Sequence, residues 1–192
     1  MKLPDSEYTQ VTFELQDFSL EDLLEKSFSR CTFQGCNFTQ ALVTETKFED
    51  CIFKECNFSN LKMDHTTLKD VNFLNSKIMG INFSGCDQLF FHTNFEACQI
   101  RFCNFNYIKL KKACFLDCEI AETEFQNTSL IESNFSDSRF RETRFHNSIL
   151  ERSDFTGALG YQIDPRTNQI KKAKFSLPEA VSLLQYFDIE LI

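Results

Sequence analysis

The sequence predicts an all-β solenoid, and three features of its residue pattern indicate that fold class. A large apolar residue, most often Phe, recurs at every fifth position from Phe13 to Phe155. A small residue, usually Cys, Ser or Thr, stands two positions before it, and the other residues of each unit are mostly polar. A period of five matches neither the 3.6-residue repeat of an α-helix nor the two-residue alternation of a β-strand. Each five-residue unit is therefore expected to form one side of a coil, with one large and one small side chain filling the interior.

The unit resembles the repeat of the pentapeptide-repeat family, in which a small residue, Asn or Asp, and Leu or Phe precede two free positions. Cys36-Asn37-Phe38 and Ser153-Asp154-Phe155 carry this resemblance, and roughly 29 consecutive units fit it. The resemblance implies a right-handed, quadrilateral (four-sided) β-helix with four units per coil, and the number of units gives about seven coils. Residues twenty apart are then expected to stack, and they form two Phe columns: Phe13, Phe33, Phe53 and Phe73, then Phe95, Phe115, Phe135 and Phe155.

The period changes once, because seven residues rather than five separate Phe83 from Phe90. We expect a bulge at 84–89, which would join the two Phe columns into one ladder of eight. Phe90 then occupies a core position. Phe91 is left with two interpretations, an exposed aromatic residue or a replacement core residue.

The chain divides into four regions on this pattern. Residues 1–12 are a lead-in, 13–157 form the β-helix, 158–175 form a hairpin and one last repeat, and 176–192 form a helix and tail. The hairpin is expected around Asp164–Asn168.

The C-terminal region carries an apolar surface of its own. Ser176-Leu177-Pro178-Glu179 is a capping-box pattern for a short helix, and the tail after Phe187 alternates like a strand. The apolar side chains are expected to cap the rod or to form a homodimer interface: Leu177, Val181, Leu184 and Phe187.

The composition argues against an enzyme, a cofactor and a metal site. The nine cysteines lie mostly at the small inward position, and the spacing of Cys31, Cys36, Cys51 and Cys56 matches no common zinc or iron–sulfur pattern. Only Cys114 lies at an outward position. The three histidines are scattered, and five glycines form no phosphate-binding loop. Free cysteines without a secretion signal favour the cytoplasm, and no apolar run is long enough for a membrane span.

The outer surface is therefore expected to bind a protein partner. The net charge of −8 disfavours nucleic acid as that partner, and on a rod it suggests imitation of nucleic acid. Within the family, the chain resembles the Qnr and MfpA-like group of dimeric rods. That resemblance implies a type II topoisomerase, DNA gyrase or topoisomerase IV, as partner and protection from quinolones. The alternative is an adaptor or regulatory protein with another partner.

Two sets of outward residues are candidates for the partner site. The acidic set has one group in each half of the rod, on different sides: Glu45, Asp50 and Asp70, then Asp117, Glu119, Glu122, Asp137 and Glu142. Basic residues such as Lys109 and Arg139 interrupt these groups, so a solvated surface of mixed charge is the competing interpretation. The aromatic set consists of Phe102 and Tyr107.

Overall fold

The computed structural model of the protein describes residues 3–190 and shows a parallel β-solenoid of about eight turns, followed by a short 3-10 helix. The strand pairs are parallel, and most join residues twenty apart, such as Phe33 and Phe53. Each regular turn therefore contains four five-residue repeats, as expected.

Twenty short strands form the turns: β1 Glu7–Thr9, β2 Thr12–Glu14, β3 Ser27–Ser29, β4 Thr32–Gln34, β5 Lys47–Glu49, β6 Ile52–Lys54, β7 Asn57–Ser59, β8 Thr67–Lys69, β9 Val71–Leu74, β10 Lys77–Met79, β11 Thr93–Glu96, β12 Gln99–Arg101, β13 Phe115–Leu116, β14 Glu119–Ala121, β15 Glu124–Gln126, β16 Arg139–Arg141, β17 Arg144–His146, β18 Asp154–Phe155, β19 Gln162–Ile163 and β20 Lys174–Phe175. Two 3-10 helices lie at Phe83–Gly85 and Glu179–Phe187. The sheets have the strand orders β1-β3-β5-β8, β16-β14-β12-β10-β7, β13-β11-β9-β6-β4-β2, β15-β17-β19 and β18-β20.

Columns of stacked aromatic rings fill the interior. Nine Phe side chains from Phe13 to Phe175 form one column, with neighbouring ring centroids 4.7 to 5.2 Å apart. This separation matches the ~4.8 Å spacing of hydrogen-bonded strands, so backbone pairing and ring stacking share one repeat. Rings of adjacent columns meet edge to face, as Phe33 and Phe38 do at 5.5 Å. The predicted ladder of eight Phe is confirmed, and Phe175 extends it by one turn.

The small inward residues supply hydrogen bonds as well as space. The Thr66 hydroxyl donates to the Val43 carbonyl at 2.6 Å, and the Ser133 hydroxyl donates to the Leu110 carbonyl at 2.7 Å. The Cys51 thiol donates to the Phe28 carbonyl at 3.3 Å in the same way. Each bond ties a small residue to the large residue of the turn before it, which explains why Cys, Ser and Thr all suit the position.

The register changes between β8 and β11. Asp87 N still donates to the Thr66 carbonyl as in a regular turn, whereas Val71 pairs with Thr93, 22 residues later. The two additional residues therefore lie between Asp87 and Thr93, and Leu89 and Phe90 project from the surface.

Phe91 occupies the core position that the sequence pattern assigns to Phe90. Phe91 is 8% exposed and packs edge to face on Phe83, whereas Phe90 is 52% exposed. The expectation for Phe90 is therefore wrong. The hydrogen bond from His92 N to the Leu68 carbonyl fixes the chain directly after Phe91, so Phe91 is the residue that reaches the interior.

The chain beyond Phe155 continues the solenoid, with two compensating changes of length. Ile163 pairs with Phe145 only 18 residues away, while Gln169 pairs with Ile149 at the regular distance of twenty. The chain is therefore two residues short up to Ile163 and regains these two residues before Gln169. The Asp164–Asn168 segment contains them as a loop and does not form the expected hairpin. One turn after Phe140, the position of the large core residue is taken by Gly160, which has no side chain. The next residue, Tyr161, is fully buried and packs against Phe155 in the core.

The side chains of the capping-box pattern attach the second 3-10 helix to the solenoid. The Ser176 hydroxyl accepts a hydrogen bond from Gly157 N, and Glu179 Oε1 accepts one from Gly160 N at 2.6 Å. Neither caps the helix, whose N-cap residue is Pro178. The strand-like tail is not formed at Asp188–Glu190, and residues 191–192 lie outside the described residues.

Because Phe91 is buried and Phe90 is exposed, substitutions at these two neighbouring positions should destabilise the protein by very different amounts. Phe91→Ala removes a buried ring and should lower the free energy of unfolding by about 3–5 kcal/mol, whereas Phe90→Ala at the surface should change it by about 0.5 kcal/mol or less. Urea unfolding followed by circular dichroism measures both. Equal destabilisation by the two substitutions would contradict the register described here.

The burial of the cysteines predicts that native protein reacts with a thiol reagent at one position. Burial raises the pKa of the Cys51 and Cys103 thiols to about 12, so both stay protonated. Cys114 is half-buried, and partial burial also raises its pKa. Labelling should therefore be slow at pH 7, accelerate as the pH rises and the thiolate forms, and disappear in Cys114→Ser. Colorimetric thiol titration tests this, and two or more fast-reacting thiols in native protein would contradict it.

Candidate partner-binding surfaces

The outward residues of the solenoid form rows because each turn repeats the backbone of the one before. The second residue after each large residue has a positive φ, as at Glu122 (49°) and Glu142 (50°). This left-handed conformation turns the chain towards the next strand, and the side chain points away from the core. Side chains one turn apart therefore lie about 4.8 Å from one another along the rod.

The C-terminal acidic candidates fall on two such rows and the strand between them. Asp117 and Asp137 occupy one row, Glu122 and Glu142 occupy the other, and Glu119 lies in β14. Glu119 forms an ion pair with Arg101 at 3.3 Å, and Glu122 forms one with Arg141 at 3.2 Å. Since Arg139 and Arg141 lie on the adjacent strand β16, cations interrupt this acidic surface.

The N-terminal acidic candidates lie on two other rows. Glu45 belongs to the row of Glu25, and Asp50 and Asp70 share a row with Lys112. Asp70 Oδ1 lies 2.9 Å from His92 Nδ1. The structure thus does not bring these residues together with the C-terminal acidic group.

Ion pairs between successive turns recur over the rest of the surface. Glu132 contacts Arg152 at 2.9 Å and Lys112 at 3.9 Å, and Asp154 contacts Lys174 at 2.7 Å. Exposed pairs of this kind contribute only about 0–1 kcal/mol each to stability. Their main effect here is to reduce the local charge of the rod sides.

The aromatic candidates are both exposed and lie on adjacent rows of a single turn. Phe102 is 54% exposed and Tyr107 is 69% exposed. Between them in sequence lie Asn104, which pairs through its backbone with the neighbouring turns, and Phe105, which is buried in the core. The structure adds Leu89 and Phe90 from the preceding turn to the exposed apolar residues. Sequence reasoning missed Phe90 because it continues the five-residue period after the insertion.

A cleft of about 540 Å³ lies between the last turns and the second 3-10 helix. Arg144, His146, Asp164 and Tyr186 are among the residues that line it. Arg166 binds Asp164 through two nitrogen atoms, and these hydrogen bonds lower the pKa of Asp164. The five-residue pattern could not reveal this cleft, because it arises from the irregular length of the last turn and from the packing of the helix.

The four apolar candidates at the C-terminal end are exposed, while Leu183 of the same helix packs against the core. The helix therefore covers the end of the solenoid with one face and presents Val181, Leu184 and Phe187 on the other. An exposed apolar surface of this kind is typical of a protein interface.

Residues 3–190 contain no group of three or more His, Cys, Asp or Glu side chains placed to hold a metal ion. No helix in the same range is long and apolar enough to cross a membrane.

Comparison with solved structures supports the fold over nearly the whole chain. A trypsin-treated form of QnrB1, described as a plasmid-mediated fluoroquinolone resistance protein, matches with a TM-score of 0.65 and 20% identity, covering 97% of this chain and 91% of QnrB1. Full-length QnrB1 matches with a TM-score of 0.53. HetL from the cyanobacterium Nostoc sp. strain PCC 7120, a protein involved in heterocyst differentiation regulation, matches with a TM-score of 0.63 and 9% identity, covering 87% of this chain and 84% of HetL.

Sequence comparison establishes the family. No curated protein matches the chain significantly. Residues 26–89 match the family model described as "Pentapeptide repeat region", and residues 118–157 match the one described as "Pentapeptide repeats (8 copies)". The two matches together span more than half of the chain, and they coincide with the stacked turns of the structure. The chain therefore belongs to the pentapeptide-repeat family.

Proposed function

We propose that the protein is a non-enzymatic binding rod that acts in the cytoplasm, binds a type II topoisomerase such as DNA gyrase and lowers its sensitivity to quinolones. The observation that carries the proposal is the match to QnrB1 over nearly the whole of both chains. QnrB1 is described as a fluoroquinolone resistance protein, and this chain has the same repeat architecture and a comparable length. The interior of the rod is filled by side chains, so binding takes place on the outside.

The rows of carboxylates support a surface that imitates DNA. B-DNA carries one negative charge per ~1.7 Å of its axis. Two parallel rows with one carboxylate per ~4.8 Å turn supply one charge per ~2.4 Å where both rows are acidic. Asp117 and Asp137 on one row and Glu122 and Glu142 on the other supply carboxylates at this density over two turns, and the ion pair of Glu122 with Arg141 reduces the net charge that they present. A basic groove that normally holds DNA is the complementary surface.

The exposed apolar face of the C-terminal helix supports a homodimer. Val181, Leu184 and Phe187 share this face, and Leu177 lies just before the helix. Burying their apolar area against a second copy contributes about 25 cal/mol per Å². A dimer joined at this end doubles the length of the rod, which suits a partner that itself has two-fold symmetry.

The dimer is tested by placing charge in its interface. Val181→Glu with Leu184→Glu should convert the protein to a monomer, because two copies would bury four carboxylates against apolar surface. Sedimentation velocity measures the change. Leu89→Glu, at an exposed leucine in the bulge, is the matched control and should remain dimeric. A wild-type protein that sediments as a monomer at tens of micromolar would contradict the dimer.

The topoisomerase proposal is tested with a DNA supercoiling assay in the presence and absence of ciprofloxacin. The wild-type protein should change supercoiling or raise the ciprofloxacin concentration needed for inhibition. Glu122→Gln with Glu142→Gln should weaken that effect about tenfold, which corresponds to ~1.4 kcal/mol of binding free energy. Glu25→Gln with Glu132→Gln removes the same charge on the other two rows and should act like wild type.

A flat result over a wide range of protein concentration would contradict the topoisomerase proposal and favour an adaptor role. The exposed pair Phe102 and Tyr107 supports that second candidate function, since aromatic side chains on a polar surface are frequent centres of protein interfaces. The match to HetL, described as involved in heterocyst differentiation regulation, shows that the same fold occurs in a protein with a regulatory role.

A further inference from the structure

One cleft in the surface is lined by an aromatic candidate together with two acidic candidates. Its volume is about 440 Å³. Phe102, Glu122 and Glu142 line it from one row, in three successive turns. Three further lining residues lie in the neighbouring strands β15, β17 and β19: Glu124, Arg144 and Gln162. These six residues define the Phe102 cleft.

The ring of Phe102 is available to a ligand. Phe102 is 54% exposed, and its ring contacts no other aromatic ring within residues 3–190. Gly80, one turn earlier in the same row, has no side chain that could cover it. Leu20 also belongs to this row, so the backbone conformation at Phe102 does not require an aromatic residue.

Two of the three carboxylates in the cleft have no cationic partner. Glu122 Oε1 accepts a hydrogen bond from Arg141 at 3.2 Å, and this carboxylate is therefore paired. Glu124 Oε2 accepts a hydrogen bond from the neutral amide of Asn106 at 3.1 Å. The side chain of Glu142 has no hydrogen bond or ion pair within residues 3–190.

The cations near the cleft do not balance these carboxylates. Arg144 lines the cleft, and within residues 3–190 its side chain forms no ion pair or hydrogen bond. Arg141 is already paired with Glu122. One unpaired cation therefore lies beside the two unpaired carboxylates of Glu124 and Glu142, and the cleft keeps a net charge of about −1, which favours a cationic ligand.

An exposed aromatic ring beside carboxylates suits a guanidinium group better than an ammonium group. A guanidinium is planar, stacks on aromatic faces and donates hydrogen bonds to carboxylates through a rigid fork. Glu122 and Glu124 lie one turn after Phe102, about 4.8 Å further along the rod. Because Glu124 bonds to Asn106, its carboxylate reaches back towards the turn that contains Phe102.

We propose that the Phe102 cleft binds an arginine side chain of the partner protein. The guanidinium stacks on Phe102 and donates to the carboxylates of Glu122 and Glu124, while Glu142 adds attraction and Arg144 opposes it. The inference rests on the proposed function only for the identity of the partner. It joins the aromatic and the acidic candidates into one site and adds Glu124 to them.

The test titrates the full chain, labelled with ¹⁵N, with N-acetylarginine amide and follows the backbone amide resonances by NMR. The resonances of Phe102, Glu122 and Glu124 should shift, with a dissociation constant on the order of 1 mM. N-acetylcitrulline amide has the same shape without the charge and should bind about tenfold more weakly. N-acetyllysine amide should bind about threefold more weakly, since it lacks the planar fork.

Single variants should change the affinity for N-acetylarginine amide in opposite directions. Phe102→Leu and Glu124→Gln should each weaken binding about threefold, because one removes the ring face and the other a carboxylate. Arg144→Gln removes the opposing cation and should strengthen binding about twofold.

Matched controls separate the site from general surface effects. Phe90→Leu changes another exposed Phe, and Glu25→Gln removes a carboxylate from another row. Both should bind N-acetylarginine amide as wild type does. Unchanged urea unfolding midpoints establish that all five variants fold.

Four results would overturn the proposal. They are equal binding of the citrulline compound, equal or tighter binding of the lysine compound, an affinity that Phe102→Leu leaves unchanged, and an affinity that Arg144→Gln fails to raise. Self-association beyond a dimer that Phe102→Leu abolishes, measured by sedimentation velocity, would identify an arginine of a second copy as the occupant and would also overturn it.

The topoisomerase proposal fails separately. Supercoiling assays in which Phe102→Leu and Glu124→Gln act like wild type would overturn the arginine site and leave the topoisomerase as partner. Binding of N-acetylarginine amide at the Phe102 cleft, together with no effect of the protein on supercoiling, would support the site and contradict the topoisomerase proposal.

Discussion

The structure depends on the equality of two distances. Parallel backbone pairing separates successive turns by about 4.8 Å, and the aromatic rings inside them stack with centroids 4.7 to 5.2 Å apart. Because both interactions have the same repeat, each turn adds paired strands and stacked rings without distorting the last one. The small inward residue completes this arrangement by donating its hydroxyl or thiol to the turn before. A unit with the wrong side-chain size would disturb both neighbours, so the repeat is strict.

The same regularity determines how charge is displayed. Outward residues at equivalent positions lie one above another, so carboxylates and cations on neighbouring turns come within ion-pairing distance. Glu119 with Arg101 and Glu122 with Arg141 are examples. Such pairing lowers the local charge along the rod sides, as the contacts of Glu132 with Arg152 and Lys112 also do.

The irregular parts of the protein are where surfaces differ from the repeat. The two additional residues after Asp87 place Leu89 and Phe90 outside. The short approach to Ile163 and the long segment after it create the cleft beside Tyr186. At the C-terminal end, Ser176 and Glu179 bond to the last turn, which holds the helix so that its apolar face remains exposed. Each irregularity is small, yet each produces a surface that the repeat alone would not have.

The five-residue period by itself determined the solenoid and the inward position of most of the cysteines, because side chains that recur at this spacing are buried together when each unit forms one side of a coil. The twenty-residue turn and the continuous Phe ladder followed from the resemblance to the pentapeptide-repeat family. The period also indicated that Phe102, Tyr107 and the acidic candidates face outward. Only the tertiary structure decided that Phe91 rather than Phe90 enters the core, since that choice depends on where His92 bonds to the preceding turn. It likewise decided the ion-pair partners and the roles of Ser176 and Glu179. These contacts join residues about twenty positions apart, and their geometry follows from the path of the backbone, which a local motif does not specify.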